Sequence, residues 1–168
     1  VRMGTKLRED AGVLQTYSIV KARLPVEARL RQDLWMIIEE RLVEQRRYQL
    51  AAAQHDVSLA DVRYYLGVFK PIARESESRF PILRVSIEHM IDSRGGVHFE
   101  ALLGADQSAA AEALADELIR FRPTAYTFSV LIRHARRAGA SDVADRLKTR
   151  AYETIPEADR SQVDKAFD

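Results

Sequence analysis

Histidine is the side chain from which catalytic or metal chemistry is most readily built at neutral pH, and this 168-residue chain has four, His55, His89, His98 and His134. No two stand four residues apart, the spacing that would aim both rings from one helix face at a single zinc ion. Glu88-His89 supplies an acid and one histidine without the second. Each histidine is therefore expected to be a partly exposed or capping residue, not a ligand or a base. The chain has no cysteine, which removes disulfides, thiolate nucleophiles and cysteine-ligated zinc or iron–sulfur centres. Asp92-Ser93-Arg94-Gly95-Gly96 comes nearest to a phosphate-binding loop but lacks the glycine spacing and the lysine of one, so a helix C-terminal break is the simpler reading. No nucleophile has an identifiable base. The expectation is a non-enzyme with no metal and no cofactor, whose functional residues are contacts. Aromatics and arginines dominate protein interfaces, and Trp35, Tyr64, Phe121, Arg122 and Arg133 are the candidate partner contacts, with packing or solvated surface as the other reading of each and the core as the other reading of Trp35.

Composition limits the elements that could present them. Apolar residues make up 46% of the chain, enough for one domain or a short repeat array with a core of its own. Charged residues make up 30% and cancel to a formal +1, which argues against a dedicated phosphate-binding surface. No apolar run approaches the ~20 residues that span a bilayer, so no membrane span is expected.

Apolar spacing predicts helix throughout. The clearest unit runs from Pro123 to Ala151, where Phe128, Leu131, Ile132 and Ala135 recur at helical spacing and Gly139 supplies a left-handed residue. Ser141 can then start a second helix whose narrow stripe is Val143, Ala144 and Leu147. Such a hairpin cannot bury its own faces and asks for neighbours of the same build. Upstream, a polar arm precedes a short helix over Val13 to Arg23. The longest helical pattern runs from Val26 to about Gln54 on Leu30, Leu34, Ile37, Ile38, Leu42, Tyr48 and Ala52, with Glu39, Glu40, Arg41, Glu44, Arg46 and Arg47 as a solvated face. The break at His55-Asp56-Val57-Ser58 restarts a helix on Val62, Tyr65, Leu66 and Phe69, which Pro71 either kinks or ends. Ile82 to Ile91 suits a helix ending at Gly95-Gly96, although its β-branched content would also suit a strand. Val97 to Leu103 is another short segment, and Ser108 is expected to cap an alanine-rich helix. The organisation is then an arm and long helix over 1–57, about three hairpins over 58–155, and a C-terminal helix or tail over 156–168.

Three segments share a pattern: Val62-Arg63-Tyr64-Tyr65-Leu66, Val97-His98-Phe99-Glu100-Ala101-Leu102-Leu103 and Tyr126-Thr127-Phe128-Ser129-Val130-Leu131-Ile132. Each opens a helix with an aromatic at its third place, and the starts are 35 and 29 positions apart. The pattern resembles the pentatricopeptide repeat family, built of helical hairpins of roughly 35 residues, with Gly139 at the family's interhelix glycine and Ala144 at its small second-helix residue. The resemblance covers roughly residues 60 to 155. It implies an all-α fold, a short right-handed stack of antiparallel hairpins of the pentatricopeptide or tetratricopeptide kind with a long N-terminal helix. It also implies single-stranded RNA as the usual ligand, read chiefly by the fifth residue of each unit and the residue before the next. Here those places hold Leu66, Ala101 and Val130, with Gly96 and Ala125 closing, and none can hydrogen-bond a base edge through its side chain. Protein is therefore the expected partner, ahead of RNA. Size and layout are most similar to the pentatricopeptide-like extra subunits on the catalytic head of euglenozoan mitochondrial ATP synthase. That implies a non-catalytic subunit docked on the α subunit, in the mitochondrial matrix after removal of a targeting peptide. Val1 in place of a start methionine fits such processing and fits a trimmed chain equally well. A mitochondrial ribosomal protein is the nearby variant.

A different class competes. Ala52 to Tyr65 also looks like the helix-turn-helix of mercury-resistance regulators, with Val57-Ser58 after the turn, Arg63-Tyr64-Tyr65 closing the recognition helix, and Lys70-Pro71 and Arg74 at a wing. Asp56 stands where that turn has glycine. This reading would make Arg63, Tyr64 and Lys70 contacts to DNA.

Overall fold

The computed structural model describes residues 28–76 and 81–166, and every regular element among them is helical. The expected arm and the helix over Val13 to Arg23 lie outside the described residues. Helix α1 is Ala28–Glu44. Helix α2 joins Tyr48–Ala51, a 3₁₀ turn at Ala52–Gln54 and His55–Ser76 without a break. Helix α3 joins Pro81–Met90, a π-helical turn at Ile91–Gly96 and Val97–Gly104. Then follow α4 (Ser108–Phe121), α5 (Ala125–Arg137), α6 (Ser141–Thr154) and, after a 3₁₀ turn at Glu157–Asp159, α7 (Arg160–Asp164). The ambiguous stretch from Ile82 to Ile91 is thus helix.

The helix expected over Val26 to Gln54 is instead two helices. At its break Arg46 takes a left-handed φ of 58°. The Arg46 amide donates to the Val43 carbonyl at 2.8 Å and the Arg47 amide to Leu42 at 2.8 Å, the paired bonds of a Schellman turn. The same turn closes α3, with Asp106 at φ 61°, Asp106 N to Leu103 O at 3.1 Å and Gln107 N to Leu102 O at 2.9 Å. It closes α5 as well, with Gly139 at φ 82°, Gly139 N to Arg136 O at 3.0 Å and Ala140 N to Ala135 O at 2.9 Å. Three hairpins, α1–α2, α3–α4 and α5–α6, therefore share one three-residue connection, and only the last uses the residue that signals it. Neither Ser141 nor Ser108 caps a helix. Ala140 and Gln107 hold those positions with no side-chain bond, while Thr124 Oγ1 does accept from the Thr127 amide at 3.5 Å.

Two expected repeat starts fall elsewhere. Val62 lies inside α2 and Val97 inside α3; only Tyr126 stands at a helix start. Gly95-Gly96 does not end a helix. Both glycines are buried within the π-helical turn, and a Cβ on Gly96 would stand 2.6 Å from the His134 ring and 2.9 Å from Val130. The glycines let α3 approach α4 and α5 closely, so the sequence spent them on packing rather than on a stop. The turn required by a helix-turn-helix is likewise missing, because the backbone stays right-handed helical from Ala51 through His55. Arg63 and Tyr64 lie instead within the continuous helix α2.

Val97 to Leu103 is buried on every face, including His98 and Glu100. Around it one cluster joins Phe99, Leu102, Leu114, Leu118, Phe128, Leu131, Ile132 and Leu147, and a second joins Trp35, Ile38, Leu42, Val43, Val97 and Ala101. A third packs Ile87, Met90, Ile91 and Val130. The main contacts run between helices adjacent, or next but one, in the chain.

Candidate functional site

The sequence offered contacts rather than chemistry, and the structure places them apart. Trp35 is fully buried, its indole N–H donating to Ser58 Oγ at 2.9 Å, so it belongs to the core and not to a partner surface. Arg122 is also buried, within 3.4 Å of Glu88. Phe121 is half-buried against the third cluster. Arg133 is exposed on α5 but bound to Asp92 at 2.7 Å, and Tyr64 is exposed on α2 with its ring edge against Tyr65. These five do not form one surface.

A different set does converge. Asp33, Met36, Ile37 and Glu40 on α1, Tyr65 and Phe69 on α2, and Ser86, His89, Met90, Ser93 and Arg94 on α3 line an open groove of about 600 Å³. Ile37 is 68% exposed there, and Ile82 and Val85, on the part of α3 that runs into the groove, are 77% and 62% exposed. Val68 and Tyr64 add exposed apolar area on α2. Isolated surface aliphatics need no explanation, but this many on the three helices that frame one groove do. The helical pattern of the sequence places Ile37 with Ile38 on the apolar face, and the fold separates them. Ile38 is buried and Ile37 is left outside.

The structure also gathers a buried polar layer that the sequence did not reveal. His98 and His134, expected to be partly exposed or capping, are enclosed. His98 Nδ1 donates to Glu39 Oε1 at 2.5 Å, and the same carboxylate accepts from Ser58 Oγ at 2.7 Å. His98 Nε2 and His55 Nδ1 are 2.9 Å apart with their rings stacked. One hairpin along, His134 Nδ1 donates to Glu100 Oε2 at 2.7 Å and its Nε2 to Asp92 Oδ1 at 3.0 Å. Glu100 further accepts from Tyr48 Oη at 3.2 Å and faces Arg137 at 3.4 Å. Burial opposes charge on His134, but its bonds to Asp92 and Glu100 outweigh burial and raise its pKa above the ordinary value. The His134 hydrogen bond, against burial, holds the Asp92 carboxyl below its usual range, with help from Arg133. Burial and then the charge of His98 lower the pKa of His55. Because carboxylates occupy both nitrogens of His134, that ring has no lone pair for a metal or a substrate proton. Glu39–His98 ties α1 to α3, and Glu100–His134 ties α3 to α5. These are fasteners between hairpins.

No family model, curated protein or solved structure matches this chain. Among the described residues no three or more histidines, aspartates or glutamates are grouped to hold a metal ion, and no helix is long and apolar enough to cross a membrane.

Proposed function

We propose that this chain is a non-catalytic docking module of a larger protein assembly, a short right-handed stack of hairpins α1–α2, α3–α4 and α5–α6 closed by α7. The observation that carries the reading is a set of exposed aliphatics, Ile37 in the groove lining and Ile82 and Val85 on the first turns of α3, in a described region whose other large apolar side chains are mostly packed. Three further features support a repeat stack: the shared left-handed turn, the nearest-neighbour contacts and the spacing of 35 positions from the start of α5 to the start of α7. The enclosed histidines serve the stack, which leaves surface contact as the functional chemistry. For the assembly itself, the sequence resemblance favours a peripheral place on the α subunit of the mitochondrial ATP synthase head, with the mitochondrial ribosome as the variant and RNA as a lesser partner.

Affinity purification from mitochondria at moderate salt, with and without nuclease, tests this. The expected outcome is recovery of ATP synthase catalytic subunits that is indifferent to nuclease and falls at least tenfold in the Ile37→Ser, Val85→Ser double variant. Both positions are exposed, so the variant should melt within a few degrees of the parent. Partners lost on nuclease treatment would return the case to nucleic acid.

A further inference from the structure

Glu39, His98 and His55 form one chain of hydrogen bonds across α1, α3 and α2, and the number of protons it can hold is limited. The Trp35 indole N–H can only donate, so the Ser58 hydroxyl that accepts it sends its own proton to Glu39. Glu39 takes a second bond from His98 Nδ1 and thus accepts at both oxygens. The outer end is the 2.9 Å contact between His98 Nε2 and His55 Nδ1, which needs one N–H and one lone pair. With His98 Nδ1 committed to Glu39, the four ring nitrogens carry two protons when both rings are neutral, three after one proton is added and four after the next. Three still leave an acceptor in the gap. Four put an N–H on both sides of it, and the contact fails. The first added proton also balances the enclosed Glu39 carboxylate, whereas the second leaves an uncompensated positive charge beside it.

That contact sits at a joint. His55 directly follows the 3₁₀ turn Ala52–Gln54, and a tight turn inside a longer helix is a common hinge position. Beyond it α2 runs on to Ser76 as an arm that carries Tyr65 and Phe69 into the groove. The charged and titratable groups facing His55 are Glu39 from α1, Asp56 and Arg63 from α2 and His98 from α3. Glu117 of α4 reaches this set through Arg63, and Arg94 of α3 pairs with Asp61 further along the arm. We propose that the Glu39–His98–His55 chain is an acid-operated latch, which holds one added proton with its contacts intact and frees the arm of α2 at the Ala52–Gln54 turn when a second arrives. Burial and then the neighbouring His98 lower the pKa of His55, which sets release below the ordinary histidine value of about 6.5. The bond from Trp35 to Ser58, one turn along the arm from His55, changes with it. The latch does not depend on what the docking face binds.

The test is an acid titration of the full chain from about pH 8 to about pH 5, across the histidine range. Fluorescence of Trp35, the sole tryptophan, reads its bond to Ser58, and far-UV circular dichroism reads the helices. Spin labels on exposed positions, Lys70→Cys and Ala113→Cys in a chain with no cysteine of its own, read the arm against α4. Lys70 stands about 22 Å along the arm from His55, so a bend of about 10° displaces it by about 4 Å. Below about pH 6.5 the tryptophan emission should change reversibly and the label distance should shift by about 4 Å, with helix content retained. In that state the imidazole 15N resonances of His55 and His98 should both be those of imidazolium. His55→Gln keeps an amide donor for His98 and cannot titrate, so it should show neither change. Unmoved signals in the parent would overturn the proposal, as would a His55→Gln chain that responds like the parent. Release while either ring is still neutral, or loss of helix together with the tryptophan signal, would overturn it too.

Discussion

His134 stands between two carboxylates in the interior, and that arrangement favours its charged form and sets the pH response. Its folded pKa is raised above about 6.5, so its contribution is fully present below that value and is lost as pH rises through the folded pKa. His55 is shifted the other way: its folded pKa is lowered, so the folded state loses stability as pH falls below about 6.5. Asp92, with a depressed pKa, adds a further loss only at strongly acid pH, as the pH falls through its folded value. Thermal melts between pH 5 and 9 should therefore peak near about pH 6.5, and His134→Gln should flatten the alkaline limb. That variant also leaves Glu100 enclosed without its imidazole, at a cost of about 3 kcal/mol read from denaturant midpoints. Gly96→Ala should cost about 2 kcal/mol or more by the same measurement, since its methyl would meet a His134 ring that its two carboxylates hold in place. None of this was legible in the sequence. The partners of His98 and His134 lie 59 and 34 positions away, and spacing rules see only ligands on one turn or one loop.

The three left-handed turns show how much of a helix boundary a sequence exposes. Gly139 announced its turn, because glycine occupies φ near 80° without a Cβ clash. Arg46 and Asp106 adopt nearly the same backbone against their preference, and the helical pattern ran straight through Arg46. Arg46→Gly and Asp106→Gly should each raise stability by about 0.5–1 kcal/mol, and Gly139→Ala should lower it by about 1 kcal/mol, all measurable as shifts in denaturant midpoint at constant slope. Conversely, Gly95-Gly96 looked like a terminator because adjacent glycines usually are. Only the neighbours Leu118 and His134 reveal that α3 needs two residues without side chains there.

For the molecule as a whole, the all-helical class followed from apolar periodicity, whereas the register of the hairpins did not, since two of the three matching segments lie mid-helix. The exposed aliphatics were not visible in the sequence: the apolar spacing puts Ile37 on the buried face with Ile38, and only the packing of the other helices leaves Ile37 outside. The segment Val97 to Leu103 has a larger consequence. It touches α1, the start of α2, α4 and α5, and it supplies an ionic fastener in each direction. In a linear array whose units are joined only through weak interfaces, melting can begin at an end and travel. Here the ends share one central strut, and exposing it strands Glu100 on one side and Glu39 on the other. The chain should lose its structure in a single concerted step. Trp35, the sole tryptophan, reports from the α1 end while far-UV circular dichroism averages over every helix. The two urea transitions should superimpose, and a tryptophan signal that moves first would mean the first hairpin is an independent folding unit.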